Sequence, residues 1–143
     1  MDKRRFLRNG AVFADSLNSI NDLKNKGATV SSGLTIVESP IGKAIMFNGT
    51  NDSTNLLHNN TQLGTNFISG LTISAWIYPK SQGEGVETSG RILDKSAGAS
   101  AQNGFALYMG NSNTMRGMIN TVGDIYSAVN SITYNSWQHI LTS

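Results

Sequence analysis

The chain has 143 residues, 38% hydrophobic and only 14% charged, which is length enough for one domain with a core. Its formal charge is +2, but four of the 11 basic residues (Lys3, Arg4, Arg5, Arg8) and one of the 9 acidic (Asp2) lie in the first ten positions, so the body carries seven against eight. That near-neutral body excludes an electrostatic nucleic-acid surface, the lack of cysteine excludes disulfides and thiolate zinc sites, and no run approaches the ~18 apolar residues of a membrane helix. Residues 1–10 read as a solvated basic tail, and residues 11–143 as one domain. The apolar stretch after the tail is broken by Asp15, too early for a signal-peptide core. Export would need a signal placed elsewhere.

In FADSLNSINDLK, Phe13, Leu17, Ile20 and Leu23 recur at helical spacing. Asn18, Ser19, Asn21 and Asp22 compete for the backbone, so the segment is expected to be irregular, with a short strand near Val12 and one helical turn. From residue 28 the strand signal dominates. ATV and LTIVE are β-branched pieces parted by SSG, and Ser39-Pro40 with Gly42 makes a turn. KAIMF reads as a strand that stops in Asn48, Gly49, Thr50, Asn51 and Asp52. Asn48-Gly49 suits a tight turn, because both residues tolerate positive φ. Asn51 and Asp52 could also offer oxygens to calcium, though one carboxylate makes a weak site.

LTISAWIYP, residues 71–79, is the clearest strand. Period two puts Leu71, Ile73, Ala75 and Ile77 on one face and Thr72, Ser74, Trp76 and Tyr78 on the other. Leu71, Ile73 and Ile77 are expected in the core. RILDK, GFALYMG, MRGMINTV, IYSAV and WQHILT follow, each bounded by turn residues. Short strands so closely spaced, without a fixed repeat, predict an all-β, antiparallel β-sandwich.

The order of these pieces resembles the laminin G-like, concanavalin A-like jelly-roll family of lectin and glucanase domains. The likeness rests on Phe13-Ala14-Asp15; the KNKGATV loop after Asp22; Gly42, Ala44, Phe47 and Gly49 of a Gly-x-Ala-x-x-Phe-x-Gly strand, then Asp52; Thr72-Ile73-Ser74-Ala75-Trp76; RILDK; GFALYM; and Trp137-Gln138-His139. The family continues past its Trp-x-His strand, whereas this chain stops at Ser143. The resemblance therefore implies a jelly roll incomplete at the C-terminal end, with an open sheet edge.

Glucanases of this superfamily carry acidic residues along one strand, as nucleophile and general acid. Here Glu84 and Glu87 lie in the Gly-rich loop SQGEGVETSG, and Glu38 stands alone two residues before Pro40. No strand bears a carboxylate pair, which argues against a glycosidase. His58 and His139 lack metal-ligand spacing, and His139 reads as structural. Trp76 and Tyr78 could stack against sugar rings on an exposed sheet face. The resemblance instead sets Trp76 beneath neighbouring loops, and Trp137 reads as core. Asn48, Asn51 and Asn59 begin glycosylation-type triplets, common by chance in an Asn-rich chain.

The resemblance also implies a calcium rim after the RILDK strand, where Asp94, Gln102 and Asn103 are candidate ligands and Asp52 a second candidate on another loop. A useful site needs about six or seven oxygens. Calcium is thus expected in the full-length domain, through Asn103, and weakly or not at all in this chain. The expected function is a non-catalytic module for a glycan or glycoprotein surface, of the adhesion type, within a larger extracellular, cell-surface or virion protein, with no nucleic-acid partner and no membrane insertion. A purely structural sandwich is the alternative.

Overall fold

The computed structural model describes residues 19–25, 28–48, 54–55, 71–83, 90–95, 104–119 and 123–142. The basic tail, the expected strand near Val12, and Asn51, Asp52, Glu84, Glu87, Gln102 and Asn103 lie outside the described residues. The chain divides into two units, residues 1–63 and residues 64–143. The fold class is all-β: every strand ladder is antiparallel, and the described residues hold one short α-helix, as a jelly-roll sandwich requires.

In the first unit that helix, α1 (Ile20–Asn25), is longer than the single turn expected. Ser19 caps it, its Oγ accepting from the Asp22 N–H at 2.9 Å, and this offsets the poor helix propensity of Asn21 and Asp22. Leu23 is wholly buried and anchors the helix. Strand β1 (Thr29–Val30) pairs with β4 (Thr54–Asn55). Strands β2 (Thr35–Ser39) and β3 (Gly42–Met46) form a hairpin around Pro40-Ile41. Gly42 has φ +129°, a value L side chains rarely adopt, which explains the glycine there. Past β3, Phe47 and Asn48 are exposed, so the apolar run ends where it leaves the sheet.

The second unit holds a two-stranded ribbon, β5 (Ile73–Ile77) with β10 (Gln138–Thr142), and a four-stranded sheet in the order β6-β7-β8-β9. These four are β6 (Arg91–Lys95), β7 (Phe105–Gly110), β8 (Thr114–Ile119) and β9 (Gly123–Tyr126). Strand β5 alternates as expected, but Leu71, Ile73 and Ile77 are half-buried rather than fully enclosed. The deepest strand is β7, buried at every position. It is flanked by β6 and β8, and its continuous apolar run Phe105–Met109 can face protein on both sides of the sheet. An apolar cleft in this unit is lined by Leu71 and Ile73, by Phe105, Gly117, Ile119 and Ile125 of the large sheet, and by Thr142.

The β7–β8 hairpin turns through Asn111–Asn113, where Ser112 and Asn113 have φ of 57° and 54°. The segment after β9 folds back onto this turn. Asn130 N–H donates to the Ser112 carbonyl at 2.9 Å, Ile132 N–H to Asn113 at 3.0 Å, and the Tyr134 hydroxyl to Asn113 Oδ1 at 2.6 Å. One step later Asn135 N–H bonds the Pro79 carbonyl at 2.8 Å, which fixes the entry into β10 beside the exit from β5.

Gly110 sits where this hairpin is tightest. A Cβ there would lie 2.6 Å from Thr114 Oγ1, and that hydroxyl donates to the Asn111 carbonyl at 2.9 Å within a buried residue. Gly110→Ala is expected to cost roughly 1–3 kcal/mol by overpacking. In a Thr114→Ala background the same change should cost markedly less. Equal costs in the two backgrounds, measured by thermal melting, would show that the clash is not the cause.

Candidate functional site

The alternation of β5 sends Ser74, Trp76 and Tyr78 to the face opposite Ile73, Ala75 and Ile77. The register with β10 then decides what joins them. His139 lies opposite Trp76, and Leu141 opposite Ser74. Gln138, Ile140 and Thr142 take the other face, opposite Ile77, Ala75 and Ile73.

Four rings gather on the outer face. Trp76 and His139 have centroids 5.4 Å apart and planes tilted by 42°. Tyr78 meets Trp137 edge-on, with centroids 5.5 Å apart and planes at 67°. His139 Nε2 and Ser74 Oγ share a hydrogen bond of 2.9 Å, which fixes the imidazole against the strand. Trp76 is 36% exposed and Tyr78 42%. For Trp76 this corrects the expectation that it packs beneath loops: its strand parity turns it outward. Trp137 is half-buried, with one edge against Tyr78, rather than a core residue. Trp137 and His139 escaped the sequence reading as site residues because only the β5–β10 register brings them to Trp76 and Tyr78. The signal in the chain is weak, a Trp-x-His at the same parity as Trp-x-Tyr.

The candidate metal ligands do not converge among the described residues. Asp94 is ion-paired to Arg91, three residues before it in β6. Asp52, Gln102 and Asn103 lie outside the described residues. No group of three or more His, Asp or Glu residues is placed to hold a metal among the described residues. Each strand carboxylate among the described residues pairs with a cation: Glu38 with Lys43 at 3.0 Å, Asp94 with Arg91, Asp124 with Arg116.

A second polar cluster lies on the large sheet. Tyr108, Arg116 and Tyr126 occupy one cross-strand row of β7, β8 and β9. The Arg116 guanidinium carbon stands 5.0 Å from the centroid of each tyrosine ring, and its Nη2 donates to Asp124. Burial works against the Arg116 cation, but the Asp124 hydrogen bond and the neighbouring groups outweigh it and raise its pKa. The Tyr126 hydroxyl also reaches Asp124, at 3.2 Å. Tyr126 is 55% exposed, so this cluster also reaches solvent, and Arg116 Nε is buried without a hydrogen-bond partner.

Among known families, the laminin G-like family model, described as concanavalin A-like lectin/glucanases superfamily, matches residues 48–143. No curated protein and no solved structure matches the chain. The matched span includes the whole ribbon and the whole four-stranded sheet.

Proposed function

The chain belongs to the concanavalin A-like lectin/glucanase superfamily, and from that membership we propose that it is a non-catalytic carbohydrate-binding module of the adhesion type. One observation carries the reading. Trp76, Tyr78, Trp137 and His139 form an open ring face on β5–β10, with Ser74 beside it. Sugar rings offer CH faces that stack on such aromatics and hydroxyls that meet the Trp, Tyr, His and Ser polar atoms. The ligand is then a glycan or surface glycoprotein, and the module would serve within a larger extracellular, cell-surface or virion protein. The non-catalytic part of the proposal rests on the strand carboxylates, each held by its own cation.

Calcium is a separate proposal, with Asn103 as the ligand to test. The described residues do not fit the ion by themselves, since Asp94 is engaged with Arg91. No step of the stacking mechanism therefore runs through it.

The test is a glycan array of neutral and acidic chains, probed with the native protein and with Trp76→Ala. Trp76 is partly exposed, so its removal should leave the melting temperature within a few degrees while reducing binding about tenfold or more. Absence of binding to every glycan would sink the proposal and favour the purely structural role. Hydrolysis of a β-glucan or galactan that Glu84→Gln or Glu87→Gln abolishes would overturn the non-catalytic part.

A further inference from the structure

Resting on the reading of the β5–β10 face as a carbohydrate platform, we infer that it takes two consecutive sugar units of an uncharged glycan chain. The rings are arranged in two cross-strand pairs, Trp76 with His139 and Tyr78 with Trp137, each about one ring contact wide at 5.4 and 5.5 Å. The pairs are one same-face step apart, since Trp76 and Tyr78 are two residues apart along the chain. That step is about 6.8 Å on an antiparallel strand. One pyranose stacks on a ring of one pair, since the paired planes are inclined by 42° and 67°, and a second unit of the same chain reaches the next.

The ring platform is bounded at both ends. Toward the start of β5 the face passes to Ser74, bonded to His139 at 2.9 Å, and to the aliphatic Leu141. Toward the other end the chain turns at Pro79, whose carbonyl is held by Asn135 N–H at 2.8 Å. Two stacking positions lie between these limits.

The charge preference follows from what the face lacks. Ser74, Trp76, Tyr78, Trp137, His139 and Leu141 include no Asp, Glu, Lys or Arg. A uronate or sulfate laid on the rings would lose water without gaining a fixed counter-charge, which is costly. Lys80, the nearest cation along the chain, already has an interaction of its own. The hydroxyl, indole and phenol groups at hand suit sugar hydroxyls instead.

Titration calorimetry with mono-, di- and trisaccharides of β-glucan and β-galactan series, and with uronate and sulfated disaccharides, tests this. In at least one neutral series, affinity should rise about tenfold or more from one unit to two, as one added stacking contact provides. From two units to three it should rise less than about threefold. Tyr78→Ala should reduce the gain from the second unit to less than about threefold, and Tyr78→Phe should restore it. A further tenfold gain at the third unit, no gain at the second, or tighter binding of the charged disaccharides would each overturn the inference while leaving the carbohydrate reading intact. Failure of every saccharide to bind would remove both.

Discussion

Replacing Phe105 with alanine is expected to cost about 3 kcal/mol, the low end of the range for removing a buried phenylalanine. Phe105 is 2% exposed and starts the most buried strand among the described residues. Its ring contributes to the apolar cleft that Leu71, Ile73, Gly117, Ile119 and Ile125 also line. Removing it merges the ring volume with space already present, so neighbours cannot close the gap by small shifts. Two effects then compete. A sealed cavity would push the cost upward, but Ile125 is 51% exposed, so water can reach the cleft and limits the empty-volume penalty. The loss of apolar burial remains, and it sets the estimate. Against a total stability of about 5–15 kcal/mol, that loss lowers the melting temperature by roughly 10 °C. Ile125→Ala, at the open side of the same cleft, should cost under about 1 kcal/mol. Thermal melting of both variants is decisive. Equal losses would mean that the cleft, rather than the buried strand, governs stability here.

Phe105 also marks where the sequence was legible and where it was not. The strands from residue 71 onward could be read from turn residues and β-branched or aromatic runs, and they appear close to where the pattern sets them. The parity of β5 was legible too, because alternation needs no partner. Depth was misjudged, since it depends on a strand's neighbours. TISAWI alternates clearly, yet lies in a two-stranded ribbon among the described residues, and its inner face is half-buried. FALYMG has flanking strands on both sides and is buried throughout. Its unbroken apolar run was the available sign. At α1 Ser19 caps the helix, although the sequence counts it only among the residues that compete for the backbone. The candidate site was half visible. Trp76 and Tyr78 share a strand face by parity, but Trp137 and His139 come from more than 50 residues away, and nothing local encodes that register.

The same blindness to register hid Arg116, and there the second large effect is expected. MRGM contains no hint that its arginine meets two tyrosine rings. The β7-β8-β9 register sets Arg116 between Tyr108 and Tyr126, with Asp124 on the same strand as Tyr126. Its side chain and that of Asp124 are each 23% exposed, so their pair is neither a surface contact nor a fully desolvated one. A surface pair contributes about 0–1 kcal/mol, and breaking a buried one costs about 3–5. Two cation–π contacts of roughly 0.5–1 kcal/mol each add to a value between these limits. Arg116→Met, which keeps the stem packed but deletes the charge and the fork, is therefore expected to cost about 2–3 kcal/mol. Arg116→Lys should recover only part of this, because an ammonium cannot face both rings and the carboxylate with one planar group. The damage should be local. Strand β9 pairs with β8 only, among the described residues, and the Arg116–Asp124 and Arg116–Tyr126 contacts fasten it to β8. Amide hydrogen exchange in Arg116→Met should accelerate first at Ile125 and Tyr126, with Leu107 and Met109 in β7 changing least. Uniform acceleration across the sheet would instead make Arg116 a support of the whole core. Unchanged exchange at β9 would show that the tyrosine–arginine row contributes nothing to holding the edge.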